Sequence, residues 1–126
     1  MKQIWIVDDD QEMAAAVSLM LQMLGHSARH FLGARLAAKE LLDGNRPELL
    51  LLDISMPEVN GIMMLEFIRR RPEWNDLPVI MLSSEATEIQ VDEALNLGAD
   101  GYVMKPATIE ELESAMQSAW KKHSKE

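Results

Sequence analysis

Five short apolar runs, each ending in polar residues, alternate along the chain with segments whose apolar positions recur at helical spacing. Ile4-Trp5-Ile6-Val7 runs into Asp8-Asp9-Asp10, and the leucines from Leu49 to Leu52 are closed by Asp53 and then Met56-Pro57. Pro78-Val79-Ile80-Met81-Leu82 ends at Ser83-Ser84, and Gly101-Tyr102-Val103-Met104 delivers Lys105-Pro106. A weaker strand is expected over 26–32. Runs that are apolar throughout, rather than alternating, fit strands buried on both faces of a parallel sheet.

Between these runs, Ala14, Val17, Met20, Leu21 and Leu24 predict a helix over 11–24, capped by Asp10 and stopped by Gly25. A short Ala/Leu helix is expected over 33–42, and Met64, Leu65 and Ile68 mark another over 61–71, closed by Pro72. A fourth is expected over 87–97, ahead of Gly98. Thr108-Ile109-Glu110-Glu111 reads as a capping box opening a last helix through Trp120. The alternation predicts an α/β domain with one parallel sheet, right-handed crossovers and helices on both faces.

Composition narrows the function classes. The 126 residues suit one domain over 1–126, with no effector domain expected in the chain. Twelve Lys+Arg against 21 Asp+Glu give a net charge of −9, which argues against direct nucleic-acid binding, whose footprint is basic. There is no cysteine, so thiolate chemistry and Cys-based metal sites are excluded. No signal core follows Met1, and no run approaches the roughly 20 apolar residues of a membrane span. A cytoplasmic protein without membrane contact is expected.

The strand ends carry the chemistry. In open parallel sheets ligands meet the fold beyond the carboxyl ends of the strands, and Asp8, Asp9, Asp53, Ser83 and Lys105 all fall there. A single Asp at one strand end reads more readily as a turn cap, but three carboxylates converging without help would repel one another and raise at least one pKa. A hard divalent cation, Mg²⁺ or Mn²⁺, removes that cost, since it takes oxygen ligands and uses carboxylates together with phosphate oxygens. With a lysine and a hydroxyl holding the remaining phosphoryl oxygens, an Asp carboxylate could attack phosphorus in line, and the site reads as an aspartyl-phosphate site.

At these residues the sequence resembles the response regulator receiver domain of two-component signalling, of which the chemotaxis receiver is the single-domain example. The resemblance rests on Asp8-Asp9, Asp53 with Met56-Pro57 and Gly61, Ser83, Tyr102 and Lys105-Pro106, and it covers nearly the whole chain. It implies a flavodoxin-like (βα)5 sandwich with strand order 2-1-3-4-5. It implies Asp53 as phosphoacceptor, Asp9 as direct metal ligand, Asp8 as a ligand mostly through water, and the Ser55 backbone carbonyl as a further ligand. Ser83 and Lys105 would bind the phosphoryl group, and a cis Lys105–Pro106 bond would aim the lysine. Ser83 and Tyr102 would form the switch that alters the surface of the fourth helix, fifth strand and fifth helix. Ser55 and Glu85 occupy positions that tune phosphoryl lifetime in relatives, and Ser84 stands where the family favours Ala or Gly. The implied partners are a sensor histidine kinase or histidine phosphotransfer protein and a downstream protein or attached effector domain. The implied role is that of a regulator, not an enzyme acting on other substrates.

Other features read more plainly. Arg69-Arg70-Arg71 is expected to be a solvated helix end favoured by the helix dipole. The methionines, including Met20, Met23, Met63 and Met64, are expected mostly at helix core positions. His26, His30 and His123 show no ligand spacing. Two rival classes stay open. Asp8-x-Asp10 after a strand resembles the haloacid-dehalogenase phosphatases, although Glu12 replaces their Thr or Val. A flavodoxin shares the sheet order, although Asp8-Asp9-Asp10 would repel the flavin phosphate.

Overall fold

A computed structural model describes residues 2–84 and 87–124. The strands are β1 (Gln3–Val7), β2 (Ser27–Phe31), β3 (Leu49–Asp53), β4 (Val79–Ser83) and β5 (Gly101–Met104). The helices are α1 (Gln11–Met23), α2 (Ala34–Leu42), α3 (Gly61–Arg69), α4 (Glu88–Asn96) and α5 (Ile109–Lys122), with a short 3₁₀ turn at Pro72–Trp74. All pairings are parallel, and the order β2-β1-β3-β4-β5 is the one the resemblance implies.

The continuous apolar runs follow from two covered faces. Successive side chains of a strand point to opposite sides. Trp5, Val7, Leu50, Leu52, Val79 and Met81 therefore face α2, α3 and α4, where Ala37, Leu41, Leu65, Ile68 and Ala94 complete one core. Ile4, Ile6, Leu49, Leu51, Ile80 and Leu82 face α1 and α5, meeting Val17, Leu21, Leu112 and Met116 in the other. Every residue of β3 and β4 is buried, each large side chain contributing about 1.5–3 kcal/mol. Leucine, no strand former by itself, is held extended by burial on both sides.

The helix starts are locally encoded. Asp10, Asn60, Thr87 and Thr108 each accept a backbone N–H of the first turn, and Thr108 and Glu111 close a reciprocal capping box. Gly25, Gly44 and Gly98 take positive φ just past helices, the left-handed geometry that ends helices. Some boundaries differ from expectation. α5 runs beyond Trp120 to Lys122, where Lys121 and Lys122 suit the negative end of the helix dipole.

Two readings need correction. Arg70 is exposed, but Arg69 is largely buried and bonded to the carbonyls of Gly98 and Trp74 and to Asp100, while Arg71 lies over the rings of Trp74 and Phe67. The arginine run is therefore mostly an internal tether. A buried acid in the loop before β5 draws Arg69 in. Met64 is buried and Met20 half-buried, but Met23 and Met63 are exposed, because each falls on the outer side of its amphipathic helix.

Candidate functional site

The β1, β3 and β5 ends bring the acids and the lysine together. Asp53 is the last residue of β3, and Asp8 follows β1 directly; they are 2% and 0% exposed, while Asp9, one residue further, is exposed. One carboxylate oxygen from each of the three lies within 4.8 Å of the others. Parallel pairing of β1 with β3, Val7 beside Leu52, sets this approach.

Lys105, just past β5, spans the cluster. Its Nζ lies 2.9 Å from Asp53 Oδ1 and 3.1 Å from Asp8 Oδ2, with the side chain 12% exposed. The Lys105–Pro106 peptide bond is cis, and the Lys105 N–H donates to the Ser83 carbonyl at 2.7 Å. Burial pushes the Asp53 carboxyl above its usual range; the Lys105 hydrogen bond opposes this, and the charges of Asp8 and Asp9 add to the rise. Burial works to lower the Lys105 pKa, but its bonds to Asp53 and Asp8 outweigh that, and the net shift is upward. One ammonium thus compensates two buried acids of a three-acid cluster. The remaining negative charge and the all-oxygen donor set fit a hard divalent cation such as Mg²⁺.

The surrounding residues hold this geometry. The Asp10 N–H donates to Asp8 Oδ1 at 2.9 Å while the Asp10 carboxylate caps α1, so Asp10 supports the acid cluster through its backbone and gives its side chain to the helix start. His30 Nε2 donates to the Asp8 carbonyl at 2.6 Å, a contact the sequence reading missed. Nothing local in the sequence signals it, since it depends on the pairing of His30 with Ile6 across the sheet. Ser83 ends β4 and is buried, whereas Ser84 and Ser55 are exposed. Tyr102 is half-buried on β5 and packs against the core beneath α4. Glu85 lies outside the described residues.

Gly61, the first residue of α3, closes the loop after Asp53. Its N–H donates to the Ile54 carbonyl at 2.9 Å, and a Cβ there would run into the Asp53 carbonyl oxygen and sit 2.8 Å from Ile54 Cα. Only glycine lets α3 start this close to the strand end.

Residues 4–117 match the family model of the response regulator receiver domain. The chain belongs to that family. It is 35% identical over 126 residues to the KDP operon transcriptional regulatory protein KdpE of Escherichia coli, covering 98% of this chain and 53% of that one. A chemotaxis protein CheY homolog of Campylobacter jejuni is 29% identical over 116 residues, covering 91% of this chain and 89% of the relative. The chain thus spans about half the length of the transcriptional regulator and most of the chemotaxis protein. A putative response regulator from Chloroflexus aurantiacus superposes with a TM-score of 0.89 at 25% identity, covering 95% and 98% of the two chains. As a receiver domain, the protein is a phosphorylation-dependent switch module of two-component signalling. Neither the phosphatase nor the flavodoxin reading finds support in these matches. Among the described residues, no helix is long and apolar enough to cross a membrane.

Proposed function

We propose that Asp53 accepts a phosphoryl group from the phosphohistidine of a kinase or phosphotransfer protein. The observation that carries this reading is the buried Asp53 carboxylate at a strand end, bonded to a lysine that also holds Asp8. In the transfer, an Asp53 Oδ forms the bond to phosphorus as the donor's P–N bond breaks, the imidazole leaving with that bond's electron pair. A divalent cation held by Asp9, Asp53, the Ser55 carbonyl and, through water, Asp8 would neutralise charge on the phosphoryl oxygens. Lys105 orients Asp53 beforehand and pairs with a phosphoryl oxygen afterwards. Ser83, one residue past Leu82, the β4 partner of Asp53, supplies a hydroxyl donor, and exposed Ser84 leaves the approach open. Ser55 and Glu85 set how readily water reaches the acyl phosphate. The protein promotes only its own phosphorylation and dephosphorylation, acts in the cytoplasm, and passes the signal to a downstream protein or an attached effector domain.

The output follows from Ser83 moving toward the new negative charge. That motion frees space under α4, and Tyr102 rotates inward, giving two discrete packings of one ring that alter the face made by α4, β5 and α5. A comparison of heteronuclear NMR spectra with and without beryllofluoride and Mg²⁺ tests this. Shifts are expected to reach residues 87–97 and 101–104, and to shrink there in Ser83→Ala and Tyr102→Ala. Shifts confined to the loops around Asp53 would remove the switch and leave a phosphate-relay role.

A further inference from the structure

The charge of this protein is not spread evenly. Between Pro72 and Trp120 there are ten acidic residues and one basic residue, Lys105, while the other 77 residues hold eleven of each sign. The whole net charge of −9 therefore sits in the part of the chain that builds β4, α4, β5 and most of α5. The one basic residue does not offset it at the surface, because Lys105 is committed to Asp53 and Asp8.

An open groove of about 600 Å³ runs between α4 and α5 over β5; of the ten acids Glu110 and Glu111 line it, while Asp76 and Asp100 pair elsewhere with Arg46 and Arg69. Val91, Tyr102, Met104 and Ala115 give it an apolar floor, and Glu110 stands on its α5 rim. Met104 is largely exposed, and Leu95, one helical turn beyond Val91, extends the apolar surface along α4. Asp92 and Glu93 are exposed on the same helix. Glu111 also lines the groove, but its carboxylate is engaged by the Thr108 N–H. Among the described residues, no basic side chain lines the groove.

We infer that this face docks a partner segment that is both cationic and amphipathic, rather than a second copy of this chain. The inference rests on the proposed role of the face as the output surface and names the chemistry of its occupant. A symmetric dimer apposes the same patch on both copies, so here acid would meet acid around an apolar centre, a juxtaposition that suppresses pairing. A helix with apolar residues at roughly three- and four-residue spacing and Lys or Arg beside them satisfies both features, its apolar stripe on Val91, Tyr102 and Met104 and its cations opposite Glu110 on the α5 rim.

The test uses the full chain, with and without beryllofluoride and Mg²⁺, and two synthetic helical peptides sharing one leucine stripe, one otherwise Lys-rich and the other Glu-rich. Calorimetric titration is expected to show binding of the Lys peptide only, weakening with added salt. Glu110→Lys is expected to lower that affinity about tenfold or more, equivalent to about 1.4 kcal/mol, and Met104→Gln to lower it as well. Glu73→Lys, the same charge change away from the groove, is expected to leave it near the parent value. Equal loss in Glu73→Lys and Glu110→Lys, or equal binding of the Glu peptide, overturns the inference. So does a dimer in sedimentation equilibrium that Met104→Gln or Glu110→Lys dissociates. Phosphoryl uptake at Asp53 is measured on the same variants. Retained uptake with absent peptide binding removes this inference alone, whereas absent uptake in the parent chain removes the proposed function beneath it.

Discussion

Asp100→Ala is expected to cost about 3–5 kcal/mol of folding stability, the loss typical when one member of a buried ion pair is removed. The Asp100 carboxylate is 3% exposed. It accepts the Val79 N–H at 2.9 Å and Arg69 Nη2 at 3.0 Å, and Lys122 Nζ lies at 3.4 Å. His123 Nε2 is 2.9 Å away, within ion-pair reach but outside hydrogen-bonding geometry. One side chain thus ties the end of α3, the start of β4 and the end of α5 at the edge of the sheet remote from Asp53. Burial pushes the Arg69 pKa down, and the Asp100 charge opposes that. Removing the acid leaves a guanidinium only 14% exposed without its counter-charge and the first N–H of β4 without an acceptor. Urea denaturation should show the loss, and thermal denaturation a Tm drop on the order of 10 °C. Asp100→Asn, which keeps an acceptor for Val79 but not the charge, should fall between. A loss below about 1 kcal/mol for Asp100→Ala would mean that the Gly98 and Trp74 carbonyls hold Arg69 without the acid.

Gly61→Ala is expected to damage both stability and the site. The added methyl would meet the Asp53 carbonyl and Ile54 Cα, which are main chain and cannot rotate aside. The start of α3 must therefore lift from the end of β3, breaking the Gly61 N–H bond to Ile54 and shifting the segment that carries Asp53. Overpacking of this kind costs about 1–3 kcal/mol, and a displaced carboxylate weakens cation binding. Denaturation midpoints and Mn²⁺ titration measure the two effects together. Unchanged stability with unchanged Mn²⁺ affinity would show that the loop absorbs the methyl elsewhere.

The parts of this molecule legible in its sequence are those governed by local pattern. Leu49 to Leu52 announced a doubly covered strand, and that strand then placed Asp53 at the ligand-facing edge. Thr108 and Glu111 announced a capping box because both partners lie within one turn. β2 was weaker and its limits narrower than expected, because an edge strand carrying exposed Arg29 and His30 shows little apolar signal. The Asp100 tether was not legible at all. Its partners lie 21 and 31 residues away in sequence, and an Asp between Ala99 and Gly101 reads as an ordinary turn residue. Arg69 was misread for the same reason, since helix-end arginines usually face water. The His30 contact with the Asp8 carbonyl likewise depends on strand pairing that no local pattern encodes.

The central claim is that Asp53 takes the phosphoryl group with the help of a divalent cation. The most direct measurement is incubation of the protein with acetyl phosphate and Mg²⁺, followed by intact mass and peptide mapping of the labelled residue. The expected result is one phosphoryl group per chain on Asp53, gained only with the divalent cation present, prevented by chelator added beforehand, and absent in Asp53→Asn. Equal labelling of Asp53→Asn at another residue, or labelling indifferent to chelator, would contradict it.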